Sequence, residues 1–198
     1  YANKNNFKDL STPLGTGFIS SLSTVLGTLE QPELTDTGIY QVQNQPFLNL
    51  TGRGVLIGIV DTGIDYTNEA FIYEDGTSKI RYLYDESDSS GIPPGDFYIG
   101  TEYTNEQINA ALKLDDPYSM IPQKDTSGHG TFLSSLMSGR NTDDFTSMAP
   151  DSELIVVKLK KARSFYYDRY GIPSDQENAF ESSAVMLGIE YILQKAEE

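Results

Sequence analysis

Two short runs hold the side chains of this sequence best suited to move protons. In Gly58-Ile59-Val60-Asp61-Thr62-Gly63-Ile64-Asp65 a carboxylate ends an apolar stretch, and Gly128-His129-Gly130-Thr131 carries the sole histidine. An imidazole titrates close to neutral pH, and a carboxylate beside it fixes its tautomer and stabilises the imidazolium. Asp61 and His129 would thus be orienter and base, the base taking a proton from a nucleophile and returning it to a leaving group. Glycines on both sides of His129 let backbone and substrate approach closely. Each motif alone has a plainer reading. Asp61 suits an Asx cap of a turn, and His129 suits a structural hydrogen bond beside a helix start.

The elements around these residues follow from periodicity. Val55 to Val60 is branched and apolar apart from Gly58, as in a strand buried on both faces of a parallel sheet, and Asp61 falls at its carboxyl end, where α/β sheets build sites. Lys79 to Asp85 alternates as a second strand and runs into a loop rich in Ser, Asp, Gly and Pro through Gly95; its acidic start, Asp85-Glu86-Ser87-Asp88, reads as a solvated turn. Thr104 and Gln107 form a capping box that predicts a helix from about Asn105 to Lys113, ended by Asp116-Pro117. Thr131 to Ser138 is small and apolar all round, as in an enclosed helix, with His129 just before its first turn and Gly139 ending it. Leu154 to Leu159 is the next buried strand. Ser174 and Glu177 make a second capping box, with Phe180, Ala184, Leu187 and Tyr191 at helical spacing. Thr35 to Leu50 suits a short surface helix, and Phe18 to Leu29 a weak one within a polar, turn-rich extension over residues 1–34. Strand alternating with helix implies an α/β fold with a parallel sheet.

Composition narrows the classes. The 198 residues carry 14 Lys and Arg against 29 Asp and Glu, a formal net charge of −15, which repels nucleic-acid phosphates and anionic membranes. No stretch has the length of a membrane span, and Tyr1 opens the sequence with no charged and apolar leader, so an exported form would have lost its signal. The absence of cysteine excludes disulfides, thiolate nucleophiles and Cys-based zinc sites.

Val60-Asp61-Thr62-Gly63-Ile64-Asp65 and Gly128-His129-Gly130-Thr131 resemble, in this order, the Asp and His boxes of the subtilisin-like serine proteases. Met148-Ala149-Pro150 and the strand up to Lys158 are similar to the turn and buried strand that follow the His helix in that family, and Ala184 to Leu193 to its next helix. Residues 91–113 and 125–135, with the run Val156 to Lys160, more loosely resemble the clostridial Csp-type germination proteases. The resemblance implies a three-layer α/β fold with a parallel sheet, incomplete in this chain, over residues 35–198. It implies Asp61 as the triad aspartate and His129 as general base of an endopeptidase acting on a protein or peptide, secreted or spore-associated, activating another hydrolase during germination. Residues 1–34 would be an extension or a propeptide remnant. A pseudoprotease serving as a binding or signalling scaffold is the alternative.

The nucleophile is the difficulty. Phe145-Thr146-Ser147-Met148-Ala149-Pro150 imitates the family's Gly-Thr-Ser-Met-Ala serine box, yet Phe145 replaces its glycine, Pro150 comes early and a buried strand follows where a helix should open. Ser147 also lies only 18 residues after His129, and is read as a turn serine. The serine is therefore expected from a carboxy-terminal remainder, as a second chain or a missing fragment, and this chain alone is expected to be inactive. No cofactor is expected. Ala70 stands where many relatives have a calcium-ligating aspartate and cannot bind a hard cation, which puts that structural calcium site in question. Two other readings of Asp61-Thr62-Gly63 fail. Aspartic proteases need a second such carboxylate in an all-β setting, and an actin-like phosphate loop leaves His129 unexplained.

Overall fold

The computed structural model of the chain describes residues 36–48 and 50–198. The expected helix over Phe18 to Leu29, and the extension containing it, lie outside the described residues.

Four strands form one sheet: β1 (Leu56–Asp61), β2 (Ile80–Asp85), β3 (Thr101–Thr104) and β4 (Glu153–Lys158). Their order is β1-β4-β2-β3, so the fourth strand in sequence lies between the first two. β4 runs parallel to both neighbours, pairing Ile59 with Val156 on one side and Leu83 with Val156 on the other. β3 is antiparallel to β2, matching Tyr82 to Thr104. The continuous apolar run of β4 has the expected cause, since both faces of the strand are covered. Leu154 and Val156 join Ile59, Leu83, Ile108 and Ala111 in one buried cluster, whereas Ile155 and Val157 join Tyr84 and Tyr191 in another. The sheet is the middle of three layers.

The helices are α1 (Ile39–Gln43), α2 (Asn105–Ala111), α3 (His129–Ser138), α4 (Ser164–Tyr170) and α5 (Ser182–Glu197). α1 occupies only part of the expected 35–50 stretch and is tied down by Gln43, whose Nε2 donates to the Ser147 carbonyl at 2.6 Å and the Met148 carbonyl at 2.8 Å. The predicted capping box of α2 forms, Thr104 N–H donating to Gln107 Oε1 at 2.8 Å. α3 packs on β1 from one side of the sheet, and α5 crosses β1 and β4 on the other. Small residues permit that crossing. A Cβ on Gly58 would lie 2.4 Å from Ile192 Cγ2, and one on Gly188 would lie 2.9 Å from Val60 Cγ1.

Two expectations are corrected, and two further elements are added. The Ser174 and Glu177 box does not start a helix; α5 begins at Ser182 after Glu181. Residues 179–180 are instead drawn into extended pairing, Ala162 N–H donating to the Ala179 carbonyl at 2.8 Å beside a bridge between Lys161 and Phe180. β3 and α4 arise where the sequence assigns no element, because four and seven residues are too few to show a period. The acidic turn is solvated only in its second half: Asp85 and Glu86 are each only 2% exposed, whereas Ser87 is exposed and Asp88 half-buried. Asp85 lies 3.5 Å from Lys158 Nζ and accepts from Ser87 N–H at 2.8 Å.

Candidate active site

β1 carries Asp61 to the carboxyl edge of the sheet, and α3 begins with His129 directly against it. His129 Nδ1 lies 2.7 Å from Asp61 Oδ1, which also accepts the N–H of Thr62 at 2.7 Å. The aspartate side chain is 15% exposed and the imidazole 52%, so the carboxylate is sheltered while the ring faces outward. The two sequence-predicted site residues are thus brought together.

Three local features produce the contact. Gly128, at φ +77°, turns the chain sharply into α3 in a conformation that a side chain disfavours. The N–H of Gly130 donates to Thr62 Oγ1 at 2.9 Å, and the N–H of Asp65 donates to Thr131 Oγ1 at 2.8 Å. Each hydroxyl accepts a backbone donor from the opposite segment, so the two boxes are laced in both directions. A Cβ on Gly130 would sit 2.1 Å from the Gly63 carbonyl oxygen, a separation no side chain tolerates. Thr62 and Thr131 were not singled out in the sequence. Their signal was their place, immediately after Asp61 and two residues after His129.

A cleft opens beside the pair, lined by Thr62, Ser127, Lys158, Leu159, Asn178 and Phe180. Two of its lining residues are joined directly, Asn178 Nδ2 donating to Ser127 Oγ at 3.0 Å. Ser147 does not approach this place. Its residue is fully buried, and the next two, Met148 and Ala149, donate backbone N–H to the carbonyls of Leu136 and Met137. Leu136 lies seven residues along α3 from His129, roughly 10 Å at 1.5 Å per residue. Ser147 is a buried residue of the loop between α3 and β4. Ala70, at the position of the family's calcium-ligating aspartate, donates its N–H to Asn68 Oδ1 at 2.9 Å, and among the described residues no group of three or more His, Asp or Glu is placed to hold a metal ion.

The sequence profile of the subtilase family, peptidase family S8, matches residues 52–172. The chain belongs to the subtilase family. The matched segment takes in β1, the Asp box, α3 and β4, the elements that assemble the pair. The structure is also similar to that of the Clostridium perfringens CspB protease, with 32% identity and a TM-score of 0.62, over 80% of this chain and 29% of that one. This chain therefore spans less than a third of the length of that protein. No curated protein matches it. Fold and membership agree with the resemblance in the sequence: a partial subtilisin-like α/β fold in a family of serine peptidases, similar to a Csp protease.

Proposed function

We propose that this chain supplies two members of an Asp-His-Ser triad, Asp61 and His129, to a subtilisin-type endopeptidase whose serine lies in a further part of the protein. The supporting observation is the 2.7 Å contact between Asp61 Oδ1 and His129 Nδ1. With Nδ1–H donating to the carboxylate, Nε2 carries the free lone pair. Nε2 takes the proton of the serine hydroxyl as the oxygen attacks the peptide carbonyl, and Asp61 stabilises the imidazolium so formed. His129 then protonates the leaving amine, and water repeats the sequence on the acyl-enzyme. His129 needs an open side for these transfers, and its 52% exposure supplies one.

Separated from the serine-bearing part, the chain has a base and no nucleophile, so it is expected to leave peptides uncut. The Csp-type resemblance of residues 91–113 and 125–135 extends the proposal to a biological setting, the proteolytic activation of another hydrolase during spore germination. The test is peptide hydrolysis by the complete protein and by its Asp61→Ala and His129→Ala forms. Loss of cleavage in both supports the triad. Full cleavage by either variant overturns it, and an inert complete protein with its serine box altered favours the binding scaffold.

A further inference from the structure

Asp125 lies four residues before His129 and has no part in the proton transfers just described, yet its carboxylate is saturated with donors. Oδ1 accepts from Thr62 Oγ1–H at 2.8 Å and from Gly128 N–H at 2.9 Å. Oδ2 accepts from Thr131 N–H at 2.8 Å and from Thr131 Oγ1–H at 2.7 Å. These four bonds occupy about all the lone-pair positions a carboxylate offers, leaving it little capacity to bind substrate.

The donors come from both halves of the site. Thr62 follows Asp61, Gly128 precedes His129, and Thr131 follows it by two. The two threonine hydroxyls act as relays. Thr62 Oγ1 gives its proton to Asp125 and accepts Gly130 N–H, while Thr131 Oγ1 gives its proton to Asp125 and accepts Asp65 N–H. With these relays one carboxylate orients six donors around His129 and the Asp box, four directly and two through the hydroxyls, and the lacing of the two boxes depends on it.

We infer that Asp125 is a positioning residue of the proposed protease, a clamp that sets the distance and angle between Asp61 and His129. A carboxylate suits the task in two ways. Charge-assisted bonds are shorter and stronger than neutral ones, and a negative charge is favoured at the amino end of a helix, where the first N–H groups lack partners. Burial works to raise the Asp125 pKa, and the bonds from Thr131, Thr62 and Gly128 outweigh it and hold the group below the ordinary aspartate range. The clamp therefore stays charged at neutral pH. The other end of α3 is held by the opposite charge: buried Lys79 donates through Nζ to the carbonyls of Ser138 and Pro150.

The kinetic part of this inference rests on the protease reading, so the experiment has a second part that does not. In the complete protein, Asp125→Ala is expected to lower kcat by about 10²-fold with KM changed less than about twofold, as for a displacement of reacting groups on the order of an ångström. Asp125→Asn, which keeps one acceptor oxygen, is expected to fall between, near 10-fold. Independently, the Nδ1–H proton of His129, assigned by its loss in His129→Ala, should give a downfield NMR resonance that vanishes or moves in Asp125→Ala. A purely structural Asp125 would lower the folded fraction while leaving kcat per folded molecule and that resonance unchanged, and this outcome overturns the inference. Should the Ala form not fold, the Asn form decides by the same two readouts. A wild type that cleaves nothing defeats the protease reading alone, since the resonance still reports on the clamp.

Discussion

Three neighbouring parallel strands end in a row of charges: Asp61 on β1, Lys158 on β4 and Asp85 on β2, paired in register across the sheet. The two aspartates occupy equivalent places and have different fates. Lys158 Nζ lies 3.5 Å from Asp85 and donates to the Lys124 carbonyl at 2.8 Å, and Asp61 meets His129. The loop after Asp85 folds back on the carboxylate through Ser87, whose N–H and hydroxyl both donate to Asp85 Oδ1, so this carboxylate is taken up by structural bonds. The loop after Asp61 is narrow at Gly63, which admits Gly130 and the start of α3. A strand end provides a fixed charge in either case. Whether the charge becomes structural or chemical depends on what the next few residues allow to approach.

That contrast can be broken at several points. His129→Ala in the complete protein should lower kcat for peptide cleavage by about 10⁶-fold, and Asp61→Ala by about 10⁴-fold, magnitudes carried over from subtilisin itself. Gly130→Ala should force the two boxes apart, with activity down about 10²-fold and stability reduced by about 1 to 3 kcal/mol, measured by peptide hydrolysis and chemical denaturation. Asp85→Ala should do the reverse of Asp61→Ala. It leaves Lys158 without its carboxylate and lowers stability by about 2 to 3 kcal/mol, discounted for the partial exposure of the lysine, while each folded molecule cuts at close to the wild-type rate.

The smallest effect concerns the neighbour of Asp85. Burial raises the Glu86 pKa from 4.5 to about 7, against a bond from the Lys160 N–H and with the Asp85 charge adding to the rise. Between these values the folded state holds a proton that the unfolded chain releases. Stability should therefore fall as pH rises from about 4.5 to 7 and level off above. Glu86→Gln should flatten that slope in thermal unfolding scans between pH 5 and 8. An unchanged slope would show that Glu86 is not the titrating group.

How much of this was legible before the structure depended on the length scale of the signal. β1, β2, β4, α2 and α3 were readable because an apolar run or a capping box spans enough residues to be periodic. Asp61 and His129 stood out because a charge ending a buried strand and a histidine between glycines are each unusual. Asp125, Thr62 and Thr131 did not stand out, since Asp and Thr are common in turns and their meaning lies in bonds that reach as far as 68 positions along the chain. The second capping box misled for the converse reason. A local preference at Ser174 lost to the pairing of residues 179–180 with the segment after β4. The buried acidic pair misled because charge density alone suggested solvent, and the lysine that compensates Asp85 comes 73 positions later, 158 minus 85.

The strand order has a consequence for how the molecule comes into being. β1 and β2 share no ladder; β4, whose partner Asp61 lies 97 positions before Lys158 (158 minus 61), is the wedge between them. Closing so long a loop costs entropy before any contact repays it, and such topologies fold slowly. During synthesis from the amino end, β1 and the β2–β3 pair must wait as separate pieces until residues 153–158 emerge and slide between them. The charged row at the sheet edge, and the fixed platform on which Asp61 meets His129, are then among the last features of this region to form.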